Sequence, residues 1–420
     1  MRQATSAVHG GRADLRELGV HAPPLDRSTT YPLPDLAAGR DALAMLAQGA
    51  ARADSPVYSR LHNPTTARWE DAIAHLEAAE AAVAFSSGMA AITAVLLASG
   101  AVGGHVVAVR PLYGGTDHLL ASGLLGIEVT WATADQVGTA VRPDTRLVLV
   151  ETPGNPTLAL VDIAAVVAAA GDVPVAVDNT FATPILQQPL THGASYAIHS
   201  ATKYLGGHSD VLAGVVATSQ DLAAGLRQVR ILTGGVLDPQ AAWLLHRSLP
   251  TLPLRVEAAQ AGAAYLVANL LGHDAVATVR WPGLAGCDPL ELVGRQMRGP
   301  GAMLTFDVVG GFPAAAAVMA AVRLITPAVS LGAIDTLIEH PAALTHALVD
   351  ADARDQYGVN PATLRLSVGI EDPTDLWHDL RQALDANMTA SMEPRDAQEA
   401  EEAEEAEEAE EAEVREPAHS

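Results

Sequence analysis

YAIHSATKYLGGHSD, residues 196–210, is the stretch from which this chain is read. Its opening, Tyr196–Ser200, is short, apolar and bounded by polar residues, the signature of a buried strand. Just after it stands Lys203, the single lysine of a 420-residue chain that carries 24 arginines. Arginine replaces lysine in most surface roles, but its guanidinium stays protonated and is not nucleophilic. A primary amine is the side chain that forms a Schiff base with a carbonyl. Coding bias would explain the scarcity of lysine but not the place where one is kept. Upstream, PVAVDNTFATP (174–184) ends a second apolar strand on Asp178. A carboxylate there is costly unless paired; as an isolated residue it caps the following turn, and otherwise it serves a buried cationic partner. Further strands read at His105–Val109, Arg146–Glu151 and Val173–Asn179, among helices at 65–80 and 87–98. This alternation predicts an α/β domain with a mainly parallel sheet. Such sheets bind ligands outside the carboxyl ends of their strands. Past about residue 245 the texture changes to longer helices with separate strands at Ala302–Val308 and Thr363–Ser367, which predicts a second, smaller α+β domain.

Composition narrows the function. The formal charge is −24, so a phosphate-backbone binder is excluded and no nucleic-acid partner is expected. Cys287 is the only cysteine, which leaves no intrachain disulfide and no cysteine-rich metal site; it reads as a free buried thiol, and no metal is expected. The N-terminal stretch has no apolar signal-peptide core. Residues 81–104 carry no charge and are long enough to span a bilayer, but Ser86-Ser87-Gly88, Ser99-Gly100 and Gly103-Gly104 break them into loop, helix and loop. A cytoplasmic protein without a membrane partner is expected. From about residue 391 to 420 the material is different: residues 393–420 hold 13 acidic side chains and two arginines, a net of −11. Nothing there can be buried, and stacked like charges oppose helix, so this reads as a solvated, disordered acidic tail.

Several further residues carry chemistry. FSSGMAAIT (85–93) opens a helix with small residues, and the free N–H groups of such a turn bind anions; Gly88 and Met89 would cradle a phosphate, with hydroxyls from Ser200 and Thr202. Tyr113 in PLYGGT (111–116) offers an aromatic face for a flat ring. Asp178 would suit a pyridine nitrogen, which a carboxylate holds protonated so that the ring draws carbanion electrons. His208 reads as structural and Asp210 as a turn or helix cap.

The motifs VYSRLHNPT (57–65), SSGMAA (86–91), PLYGGT, ETPGNPT (151–157), VDNTFATP (177–184), SATKYLGGHSD (200–210), AVSLG (328–332) and LRLSVGIED (364–372) occur in one order. Together, over roughly residues 5–387, they resemble the cystathionine/methionine-metabolism family of pyridoxal 5'-phosphate (PLP) enzymes, and most nearly its methionine γ-lyase and cystathionine γ-lyase members. The resemblance implies fold type I, the aspartate-aminotransferase-like α/β fold. It implies an N-terminal arm (1–56) that contributes to a neighbouring subunit, a large PLP-binding domain (57–245) and a C-terminal domain (246–390). By the same resemblance Lys203 is the cofactor lysine and proton shuttle, Asp178 the pyridinium partner, and Tyr113 the stacking tyrosine and acid/base. Gly88, Met89, Ser200 and Thr202 form the phosphate cradle. Tyr58 and Arg60 reach the phosphate from the neighbouring subunit, in a tetramer built of two active dimers. Asn155 lies near the cofactor's phenolic oxygen, and Arg365 clamps the substrate α-carboxylate, with Ser330 and Asn155 also at the substrate. The implied reaction is elimination at the γ (or β) carbon of a sulfur-containing amino acid, giving a 2-oxo acid, ammonia and the leaving group.

Three alternatives stand beside it: a γ-replacement synthase on an O-acylated homoserine, a specialised γ-lyase on an unusual amino acid, and a non-catalytic homologue acting through its tail. Val329, where cystathionine-handling members often carry glutamate, favours a small or uncharged substrate side chain. Gly115, where the methionine γ-lyase pattern has cysteine, argues against efficient methionine cleavage.

Overall fold

The computed structural model describes residues 1–392 apart from 34, 348, 351–353 and 355–357. The expected acidic tail, 393–420, lies outside them. Seven strands form the first sheet: β1 (Ala81–Phe85), β2 (His105–Val109), β3 (Glu128–Ala132), β4 (Thr145–Glu151), β5 (Val175–Asp178), β6 (Tyr196–Ser200) and β7 (Gly214–Thr218). Their spatial order is β1-β7-β6-β5-β4-β2-β3. Only β7 runs against its neighbours; the other pairings are parallel. The strands read as continuous apolar runs because both faces are covered. Along β4, Leu147 and Leu149 pack on one side with the helices Gly88–Ala98 and Gln220–Thr233. Val148 and Val150 pack on the other with Ile163 and Val166 of the helix Ile163–Ala170. That is the period of two expected of a strand.

The second sheet contains β8 (Val276–Arg280), β9 (Met303–Val308), β10 (Thr326–Pro327), β11 (Leu337–Glu339) and β12 (Thr363–Ser367), in the order β10-β11-β12-β9-β8. It is antiparallel except for the β10–β11 pair. Its core packs against the helices Leu252–Leu270 and Pro373–Met392. The fold is therefore α/β, a large mostly parallel sheet joined to a smaller, separate one.

Three local readings need correction. Residues 81–85 are a strand rather than loop: AAVAF is fully buried and pairs with β7 along its whole length. The helix expected over 65–80 is Pro64–Leu76. Asn63 Oδ1 accepts from the N–H groups of Thr65 and Thr66 and starts it, and Ala78, at φ +54°, stops it early. Cys287 is partly exposed rather than buried. Among the described residues, no helix is long and apolar enough to cross a membrane.

Candidate active site

The carboxyl ends of the parallel strands converge on one cavity of about 430 Å³. β5 delivers Asp178 as its last residue, β6 delivers Ser200, and β4 delivers Glu151. The turn after β1 supplies Ser87, Gly88 and Met89, and the loop after β2 supplies Tyr113. The second sheet closes the cavity with Arg365 from β12 and with Val329, Ser330 and Leu331 from the segment after β10.

Lys203 Nζ donates to Ser330 Oγ at 2.7 Å. Burial, and then the nearby Arg365 guanidinium, pull this amine down to about 8 against the opposing pull of Glu339. A substantial neutral fraction near neutral pH makes it a usable nucleophile and base. Ser330 itself sits at φ +97°, a conformation that L side chains rarely adopt. It is held from both sides, since its carbonyl accepts from Arg365 Nη2 at 3.0 Å while its hydroxyl takes Lys203. Strain of this kind persists where surrounding structure over-determines it, as at active sites.

Asp178 accepts through Oδ1 from the backbone N–H and the hydroxyl of Thr180, at 3.0 and 2.5 Å. Burial raises its carboxyl above the usual range, and these two bonds together with His199 oppose the rise. A cationic partner at this carboxylate would relieve that cost. At another part of the wall Ser87 caps the helix Gly88–Ala98 by accepting from Ala90 N. A Cβ at Gly88 would come within 2.9 Å of Ser200 Cβ, so only glycine leaves this turn in place. An anion cradle, a half-buried carboxylate, an aromatic ring and an amine of lowered pKa thus share one cavity. That donor set fits PLP: Gly88, Met89, Ser200 and Thr202 would hold its phosphate, Asp178 its pyridine nitrogen, Tyr113 its ring face, and Lys203 its aldehyde carbon.

Arg365 is 2% exposed. Its Nη1 donates to Asn155 Oδ1 at 2.8 Å, and its Nη2 lies 3.0 Å from Glu339 Oε1. Its Nε–H is buried with no acceptor among the described residues, a donor left over for an incoming carboxylate.

Lys203, Asp178, Tyr113, Gly88, Met89, Asn155, Ser200, Thr202, Ser330 and Arg365 all line the cavity. Tyr58 and Arg60 do not: Tyr58 is exposed, and Arg60 Nη1 donates to Ile231 O at 2.8 Å with its guanidinium 5.4 Å from the Tyr58 ring centre. His208 bonds the carbonyl of Gly206 through Nδ1. The sequence reading passed over Glu151 and Glu339. Glu151 Oε2 accepts from Tyr113 N at 2.6 Å, and its Oε1 accepts from Asn155 N at 3.0 Å. It thereby fixes the backbone of two site residues. Burial, reinforced by Asp178, raises it well above the ordinary carboxylate range. Both glutamates carry the signal used for Asp178, a lone carboxylate closing an apolar strand.

Fold and site together define a PLP-dependent enzyme of fold type I. The family model of Cys/Met metabolism PLP-dependent enzymes matches residues 4–385, and the chain belongs to that family. It is 54% identical to an L-methionine gamma-lyase of Brevibacterium sandarakinum, over 93% of this chain and 99% of that protein. It is 41% identical to the cystathionine gamma-lyase of Bacillus subtilis, over 92% of this chain and 100% of that one. Among solved structures, a cystathionine gamma-lyase from Lactobacillus plantarum complexed with L-serine superposes with a TM-score of 0.84 at 34% identity, covering 92% of this chain and 100% of that one. The chain is a PLP-dependent carbon–sulfur lyase that acts by γ-elimination, and neither the synthase nor the non-catalytic alternative is favoured.

Proposed function

We propose that the substrate is L-methionine, cleaved with water to 2-oxobutanoate, methanethiol and ammonia. The observation that carries this is the cavity wall: Ile92, Leu212, Val329, Leu331 and Leu344 give it an apolar side suited to a methylthio group. No cationic or anionic side chain among them would pair with the charged far end of cystathionine. The 54% identical L-methionine gamma-lyase supports the same choice, against the expectation drawn from Gly115.

In this reading Arg365 takes the α-carboxylate, with Asn155 and Ser330 fixing the guanidinium. PLP, when bound, supplies the aldehyde that takes up the amino group and a ring that draws electrons from Cα. Lys203 takes the proton from Cα, gives it up again within the site and, neutral once more, takes one from Cβ, with its Nζ held in the cavity by Ser330 Oγ. Tyr113 protonates the departing sulfur, its backbone pinned by Glu151. Asp178 keeps its charge opposite the pyridine nitrogen.

Tyr58, Arg60 and the arm 1–56 complete a neighbour's site, in a tetramer of two such dimers. The exposure of Tyr58 and the absence of both side chains from the lining of their own cavity support this. Residues 57–245 and 246–390 serve as the cofactor and closing domains. The compartment is the cytoplasm, consistent with a single free cysteine.

The test is kcat/KM of the holoenzyme for methionine and for cystathionine, with methanethiol and 2-oxo acid measured with and without added thiol. Methionine turned over better, without thiol, is expected. Preference for cystathionine, or product only with thiol, overturns the reading. Mixed oligomers of Lys203→Ala and Arg60→Ala subunits should regain activity that neither variant has alone.

A further inference from the structure

Glu339 and Arg365 face each other across β11 and β12, paired in register on adjacent antiparallel strands. Both are almost wholly buried, at 1% and 2% exposure. Glu339 Oε1 accepts from Thr345 Oγ1 at 2.8 Å and lies 3.0 Å from Arg365 Nη2. Glu339 Oε2 is buried with no partner among the described residues. The charged or titratable groups that act on this carboxyl are Arg365 from β12, Lys203 from the segment after β6, and His340 next to it in the chain. None of this is needed to hold Arg365 still, because Asn155 Oδ1 and the Ser330 carbonyl already bond it.

A buried guanidinium balances one carboxylate well and two poorly. When a substrate docks its own carboxylate on Arg365, Glu339 becomes the surplus charge. It is almost wholly buried, and its second oxygen has no donor among the described residues to lean on. A buried group in that position neutralises. We propose that Glu339 competes with the substrate's α-carboxylate for Arg365 and releases it by taking a proton from solvent as the substrate docks. Burial already holds this carboxyl above its usual range, with Arg365 the chief opposing influence, so the proton is within reach once Arg365 is engaged elsewhere. Glu339 is thus a positioning residue that ties substrate affinity to pH. The inference rests on Arg365 being the carboxylate clamp.

The test uses the holoenzyme and 4-(methylthio)butanoate, which keeps the carboxylate and thioether of methionine but has no amine to react. Binding is followed by titration calorimetry between pH 5.5 and 8 in two buffers of different ionisation heat, which counts protons taken up. Wild type should take up a measurable fraction of a proton for each molecule bound, and affinity should fall as pH rises. Glu339→Gln should bind on the order of fivefold tighter or more, with no uptake and a flat pH profile. Arg365→Lys should bind weakly throughout. Uptake that persists in Glu339→Gln belongs to the Lys203 nitrogen and overturns the proposal. So does an absence of uptake in wild type, a measurement that needs no variant to fold. If Arg365→Lys binds the probe as wild type does, the clamp reading itself falls. If that variant is weak but Glu339→Gln matches wild type, the clamp stands and the proposal alone fails.

Discussion

The lowered pKa of Lys203 makes a prediction about how the protein acquires its cofactor. The amine titrates near 8 because it is buried beside Arg365. At pH 7.5 a group titrating there is ~25% neutral, against ~0.1% for a lysine at its ordinary value. Only the neutral amine attacks an aldehyde, so capture should be about two hundredfold faster than at an exposed lysine of equal access. The rate should climb with pH, bend near 8 and level off above about 9. Arg365→Gln removes the neighbouring cation while leaving the burial, so the bend should move upward and the rate at pH 7.5 should fall. The assay is stopped-flow mixing of PLP with apoprotein stripped by hydroxylamine, following the visible absorption band from pH 6 to 10. Lys203→Ala, lacking the amine, should give no band. A rate still rising tenfold per pH unit between 9 and 10 would refute the reasoning. So would an Arg365→Gln variant whose bend moved down.

Other expectations follow from single contacts. Asp178→Asn cannot hold a positive pyridine nitrogen, so exchange of the substrate Cα proton with deuterated solvent should slow by on the order of a hundredfold or more while the fold is kept; unchanged exchange would remove Asp178 from its role. Glu151→Gln turns one of two acceptors toward a backbone N–H and should cost about 1–3 kcal/mol at Tyr113 or Asn155. It should appear as a lower kcat and a shifted visible band, and a variant matching wild type in both would show that the carboxylate only fills space. Gly88→Val drives a side chain into Ser200 and should raise the dissociation constant for PLP at least tenfold, measured by equilibrium dialysis; unaltered binding would place the phosphate elsewhere. Glu77→Ala strips the acceptor from buried His199 and Asn179 and should lower stability by about 2–4 kcal/mol in urea unfolding, where a change under about 0.5 would mean that both find new partners.

How far the sequence can be read depends on whether the signal is local. The strands ending in Asp178 and Ser200 are apolar runs with polar ends, so both the strands and the residues they carry to the cavity were legible. Lys203 stood out as the only lysine of the chain, and the fold places it in the cavity beside Ser330. β1 was missed because AAVAF has no turn residues between it and the helix expected up to residue 80, and its alanines favour helix over strand. The insertion of β7 antiparallel between β1 and β6 comes from pairing between distant segments, which no local pattern encodes. The tightest feature of the site was equally hidden. Ser330 reads as an ordinary serine in AVSLG, and only the fold shows its backbone at φ +97° with Lys203 on one side and Arg365 on the other. The site residues expected at the cavity could be placed there by motif, but their partners Glu151 and Glu339 required the rule applied to Asp178 to be carried to every apolar strand that ends on an acid.

That rule also explains how the site divides its work. Two cations, Lys203 and Arg365, sit among three carboxylates, Asp178, Glu151 and Glu339, all near the apolar ends of strands. Isolated, each carboxylate would be expensive; together with their donors they form a charge pattern whose balance changes with every group that enters. Glu151 answers backbone N–H groups and so holds shape. Asp178 keeps one oxygen bonded to Thr180 and none to the other among the described residues, so it is left to answer a ring nitrogen. Glu339 answers Arg365 and so yields when a substrate carboxylate arrives. The apolar wall from Ile92 to Leu344 carries none of these charges. Chemistry is therefore set at rigid strand ends and selectivity on the facing wall, so changes at Val329 or Leu212 should redirect the substrate while leaving the pKa of Lys203 where burial and Arg365 put it.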